Sequence, residues 1–293
     1  MTKFSPAESA LEGFKLVREH PGSVLIWSLF YFLGFVLVAV AMLVGVGREF
    51  IAFVKHGGMN SGDLSSFEPM IVHSFPAFVL SIVLAISVLA VLTGAICRLV
   101  LRPEEGGRAY LRFGPDELRL GLVSLLLLSF DMVCAVIVKA FADAAGGLLG
   151  SLLGLALAAL IIWIDVRLLL AAPATFAERR IAIDVSWRLT RGHFWKLLGM
   201  VVLAIIFWVM VWLVFTIIGA IFIGLAGGQD AISRPSHLSP FALFAFLVTL
   251  LVQLLLPTLQ IIMICSPVAE AYRELRDEWG EAAQALQPGQ LTT

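Results

Sequence analysis

Leu197 to Leu225 reads LLGMVVLAIIFWVMVWLVFTIIGAIFIGL, and no charged side chain interrupts it. As a helix rising 1.5 Å per residue, such a run covers ~43 Å, more than the ~30 Å of a bilayer's hydrocarbon. In hydrocarbon a backbone must satisfy its own N–H and C=O groups, so an uninterrupted run of this kind reads as a transmembrane helix. Five other stretches share its character: Val24 to Val46, Phe78 to Leu101, Leu120 to Val138, Gly146 to Ala172 and Phe241 to Cys265. Each approaches or exceeds the ~20 residues a crossing needs.

Composition agrees. The 293 residues are 60% hydrophobic and 14% charged, against about 25% charged in soluble domains. A formal net charge of -1 gives no general attraction to nucleic acid. Cys97, Cys134 and Cys265 all fall in apolar stretches, where they read as small buried hydrophobes rather than ligands or a disulfide framework. Met1 to Gly22 lacks the short apolar core of a cleavable signal, so the first span is expected to direct insertion.

Orientation follows from the basic residues. Lys3, Lys15 and Arg18 precede span one. Arg98, Arg102, Arg108, Arg112 and Arg119 surround the gap after span two. Arg167, Arg179, Arg180, Arg188, Arg191 and Lys196 surround the gap after span four, and Arg273 and Arg276 follow span six. The opposite side holds Arg48, Lys55, Lys139 and Arg234. Sixteen against four predicts that both termini are cytoplasmic. The expected fold is an all-α polytopic membrane helix bundle, with six transmembrane helices in three hairpins and short cytoplasmic interfacial helices. Residues 1–293 form one membrane domain, with 1–21 an N-terminal interfacial segment and 268–293 a cytoplasmic tail.

Of the three outer connections, Gly47 to Pro76 is long and rich in Gly and Ser (Gly57, Gly58, Ser61, Gly62, Ser65, Ser66) and reads as a mobile loop. Ala142 to Ala145 reads as a tight hairpin, and Gly227 to Pro240 as a short polar link. The inner segments repeat a theme. Phe14-Lys15-Leu16-Val17-Arg18-Glu19-His20 precedes span one, and Trp187-Arg188-Leu189-Thr190-Arg191-Gly192-His193 precedes span five. Tyr110 to Gly114 is a weaker third copy, and Arg98 to Leu101 rhymes with Arg167 to Leu170. Three units of interfacial segment, span, hairpin and span are one reading. Recurrent basic-aromatic boundary composition is the other.

Two inner segments are expected to be helices against the membrane face. Ser5-Pro6-Ala7-Glu8 has capping-box spacing with Pro at the first helical position, and Leu11, Phe14 and Val17 then share a face. Ile181, Val185 and Leu189 share a face in the second, which Gly192 stops. Both present basic and apolar sides suited to anionic headgroups, or are linker helices packed on the bundle.

Few residues are candidates for chemistry. Asp131 lies about eleven residues inside span three, ~16 Å from its inner edge. An acid there is expected to face neighbouring helices, with a polar group of another span in reach, as a proton or ion path or as a structural hydrogen bond. Lys139 sits on a similar face but too far along to pair with it. Arg98, Asp165 and Arg167 fall at similar depth near the inner leaflet, as a polar ring or as interfacial ion pairs. Gln253 and Gln260 are seven apart on span six, hence on one face, where they tie helices together or line a ligand or ion path with Asp131, and Pro257 between them is expected to kink the helix. Gly146, Gly150 and Gly154 form a small-residue ladder for close packing. Trp27, Trp163 and Trp195 fit aromatic belts. The five histidines are scattered on both sides, no metal site or cofactor is implied, and no Walker loop, nucleophile elbow or HExxH occurs.

Ser186-Trp187-Arg188-Leu189-Thr190-Arg191-Gly192-His193-Phe194-Trp195-Lys196-Leu197-Leu198-Gly199 resembles a string of a large bacterial six-helix membrane family. That family includes the membrane domain joined to some glycerophosphodiester phosphodiesterases. Phe14 to Pro21 and the six-span layout are also similar. This chain has no segment resembling the catalytic domain, so that activity does not carry over. The resemblance implies a bacterial inner-membrane protein, an accessory or scaffold. With the residues, it leads us to expect a non-enzymatic scaffold or lipid-associated accessory. Its partners would be a bilayer with anionic headgroups and an unidentified protein. The alternative is a small-solute or ion transporter or channel using Asp131.

Overall fold

The computed structural model describes residues 5–55, 68–105, 107, 109–225 and 240–285. Among them the helices are α1 (Pro6–Glu19), α2 (Pro21–Lys55), α3 (Glu68–Leu101), α4 (Pro115–Ala145), α5 (Gly147–Leu168), α6 (Ala171–Glu178), α7 (Ile183–Leu189), α8 (Phe194–Leu225) and α9 (Pro240–Ala285). A 3-10 turn, Pro103–Glu105, follows α3, and the described residues include no strand. Prolines open α1, α2, α4 and α9, where a missing N–H costs no helical bond.

Six of these helices are long and apolar enough to cross a membrane. They pair as α2 with α3, α4 with α5, and α8 with α9, three hairpins as expected. Helix α9 is the hub: it also packs on α1, α2 and α3. Every span leaves large apolar side chains exposed, Val44, Val83, Val136, Leu148, Ile221 and Leu247 among them. That is the surface a helix presents to lipid, and the bundle is a polytopic membrane protein.

Most buried side chains gather at one end of the bundle, the end rich in arginine. Trp27, Leu92, Ile96, Leu120, Phe176 and Ile262 belong to one cluster there. Leu170, Leu197, Met200, Tyr272 and Leu275 belong to the other. The short helices α1, α6 and α7 close over this end. Ser5 takes the N-cap of α1, but its hydroxyl makes no capping bond. Its carbonyl instead accepts from the Ser9 N–H and Oγ.

Helix α1 does not turn the expected face inward. It buries Ser9, Ala10, Gly13 and Leu16 and leaves Leu11 48% exposed. The reason is close approach: a Cβ at Gly13 would sit 3.1 Å from the Met263 Cα of α9. A small-residue face lets two backbones meet, which a Leu face does not. Phe14 meets Phe207 of α8 edge-on at 5.6 Å. In the second segment Val185 and Leu189 are buried as expected, while Ile181 precedes the helix and is 44% exposed.

Other boundaries shift. Helices α2 and α3 extend into the first outer connection, and Gly57, Gly58, Ser61, Gly62, Ser65 and Ser66 lie outside the described residues. So does most of the third connection. The second reverses at Gly146 and Gly147, whose φ of +60° and +49° suit glycine. Tyr110 to Gly114 is not a helix, so the third copy of the repeat is lost; Ala109 and Tyr110 have φ of 54° and 60°. Leu16 and Leu189, at matching places in the first two copies, are both buried. Span four ends at Leu168 and α6 follows as a separate helix. Span six runs through Pro257 and Pro267 to Ala285, so much of the expected tail is a continuation of α9.

Candidate functional site

Helices α4 and α5 are antiparallel and close. A Cβ on Gly150 would collide with the Ala142 carbonyl, and one on Gly154 would lie 3.6 Å from the Ala142 Cβ. Eleven residues further along each helix from Ala142 and Gly154 come Asp131 and Asp165. Eleven residues are about three turns, so the same seam brings those two together. Their carboxyl groups stand within interaction range of each other.

The polar partner expected from another span is therefore present, but the inward orientation is not. Asp131 and Asp165 are both exposed, on a face of the hairpin the rest of the chain leaves uncovered. Lys139 pairs with Asp143 at 2.9 Å and takes no part.

Arg98, Asp165 and Arg167 do not form a ring; each has its own partners. Arg98 is buried and ion-paired with buried Glu117 of α4. Its Nη1 donates to the Tyr110 carbonyl at 2.6 Å, and its guanidinium lies 5.4 Å from the Phe176 ring centre. Trp27, expected in an aromatic belt, is instead fully buried, and its indole N–H donates to the Ala109 carbonyl at 2.6 Å. Arg102 donates to the carbonyls of Phe176 and Ala177, both at 3.1 Å, and lies over the Phe176 ring at 4.9 Å. These bonds tie the turn after α3, with its two left-handed residues, to α2, α4 and α6.

Arg167 sits between Trp163 and Trp187, 5.3 and 5.6 Å from the ring centres. Its carbonyl accepts from Ser186 Oγ at 2.8 Å, which docks α7 against the end of α5. Asp184 of α7 is held below the usual carboxylate range by hydrogen bonds from Arg180. Gln253 is exposed and Gln260 half-buried on α9.

Two adjoining clefts open where α6 and α7 meet the end of α9. One, of about 290 Å³, is lined by Arg102, Arg273, Arg276, Tyr272 and Asp277. The other, of about 330 Å³, has Val185, Leu189, Trp279 and Arg188 in its walls, and shares Tyr272 and Arg276 with the first. Neither is lined by Asp131. Sequence reasoning missed this site because residues 268–293 read as a tail. The signal was there: Tyr272, Arg276 and Trp279 recur at helical spacing past the end of the span. Glu117 was missed because an acid in a helix's first turn already has a reason to be there.

Neither a protein-family model, nor a curated protein, nor a solved structure matches this chain.

Proposed function

We propose that this chain is a non-enzymatic integral membrane protein, a lipid-associated scaffold or accessory of a bacterial inner membrane, with both termini cytoplasmic. The observation that carries the reading is the folded arginine-bearing platform at one end of the bundle. There α1 packs on α9, and α6 and α7 pack on each other and on α9, and Arg112, Arg188 and Arg191 stand exposed. A basic platform at the mouth of an apolar bundle suits a leaflet of anionic headgroups. The sixteen-to-four split of Lys and Arg supports the orientation. The resemblance of Ser186 to Gly199 to the six-helix family supports a bacterial source. The test is thermal unfolding of the purified protein in nanodiscs. A higher midpoint in phosphatidylglycerol-containing discs than in phosphatidylcholine alone is expected; equal midpoints would overturn lipid association.

One observation favours a second reading, the transporter. Asp131 and Asp165 stand side by side on two of the apolar helices, and acids at such depth can line a proton or ion path. Acid-pulse measurements on proteoliposomes separate the two readings. The transporter requires a proton flux that Asp131→Asn abolishes; the scaffold requires none above empty vesicles.

A further inference from the structure

The twin cleft has the shape of one amphiphile. Its first compartment gathers the guanidinium groups of Arg102, Arg273 and Arg276 with the Asp277 carboxylate, and Arg102 and Arg273 are also ion-paired with Glu105 and Glu270. Arg102 and Arg273 are already held in place. Arg102 bonds the end of α6, and Arg273 bonds the Val100 carbonyl at 3.2 Å and Glu270. Arg276 differs. Among the described residues it belongs to none of the ion pairs that hold its neighbours, and it lines the clefts beside Tyr272, with Asp277 in one and Glu178 in the other. It stands on the wall common to both compartments. Fixed guanidinium forks with an uncommitted one between them match the oxygens of a phosphate, which Arg binds bidentately.

The second compartment adds an apolar wall, Val185, Leu189 and the ring of Trp279, with Glu178 and Arg188 also in its lining. Its level is that of a bilayer interface. Val100, which Arg273 reaches, lies at the end of span two, and Trp163 and Trp187 stand together at the end of span four. Each volume is near the lower end, ~300 Å³, of ligand-binding clefts. A soluble phosphate would fill one compartment and leave the other empty.

We infer that this cleft binds an anionic phospholipid, with its phosphodiester on Arg102, Arg273 and Arg276 and its glycerol and upper acyl carbons against Trp279. The inference rests on the lipid-associated reading and gives it an address. The source of the phosphate is the lipid and not a free anion.

The experiment follows thermal unfolding of the full chain in phosphatidylcholine nanodiscs, with phosphatidylglycerol or inorganic phosphate as the added probe. Phosphatidylglycerol is expected to raise the midpoint by several degrees and inorganic phosphate by much less. Arg276→Gln is expected to remove most of the lipid shift and Trp279→Ala about half, with midpoints in phosphatidylcholine alone near the wild type. Arg191→Gln, an exposed charge outside the cleft, keeps the shift. If Arg191→Gln and Arg276→Gln lose equally, attraction is diffuse and the cleft is overturned while lipid association stands. If inorganic phosphate matches the lipid, the lipid source is overturned. No lipid shift in the wild type defeats the cleft and the wider reading together.

Discussion

Asp131 of α4 and Asp165 of α5 meet on an exposed face, each eleven residues from the Ala142–Gly154 contact that sets the register of their hairpin. A lone ionised acid at the centre of a span costs ~2.5–3.5 kcal/mol on insertion scales. Asp131→Asn keeps a hydrogen-bond partner for Asp165, so it is expected to change stability by less than about 1 kcal/mol. Thermal unfolding in detergent checks this, and a large loss would mean the pair does more than hold the hairpin.

The same register predicts a disulfide. The Cβ position of Gly154 lies 3.6 Å from the Ala142 Cβ, within the about 3.5–4.5 Å a disulfide requires. Ala142→Cys with Gly154→Cys, in a chain freed of its three native cysteines, should oxidise almost completely. Thiol alkylation followed by mass spectrometry reads the result. Persistent free thiols would show that α4 and α5 pair in another register.

Arg98 and Glu117 make a buried pair, and breaking it strands a charge. Arg98→Ala or Glu117→Ala is expected to cost about 3–5 kcal/mol, while Arg98→Met combined with Glu117→Leu should recover much of that. Denaturation midpoints of the three variants decide. Single variants as stable as the wild type would contradict the buried pair.

Trp27→Phe keeps the ring and removes the N–H that reaches the Ala109 carbonyl. The expected loss is about 1–3 kcal/mol, the cost of leaving a buried acceptor unmet. Hydrogen exchange should rise first at Ala109 and Tyr110, whose left-handed backbone that bond helps hold. Unchanged protection there would refute this role.

The six spans were legible because hydrocarbon makes composition decisive: a run such as Leu197 to Leu225 has no other stable home. Contacts between helices were not. The face of α1 went unread because Ala10 and Gly13 score weakly as hydrophobes, yet their small size is what lets α1 lie on Met263. Glu117 and Arg98 stand on different helices, and nothing local to either marks the other. The Asp131–Asp165 contact required knowing the α4–α5 register. That register was within reach once Gly150 and Gly154 were taken as the packing seam and Ala142 as its far side. The clefts needed a boundary that hydropathy does not draw, since α9 stays helical long after it stops being apolar.

The central claim, a scaffold associated with anionic lipid, is tested most directly by native mass spectrometry of the full chain released gently from bacterial membranes. The account predicts a folded protein retaining anionic phospholipid in preference to the zwitterionic lipid that surrounds it. A bare protein, or lipid retained in proportion to its abundance in the membrane, would contradict it.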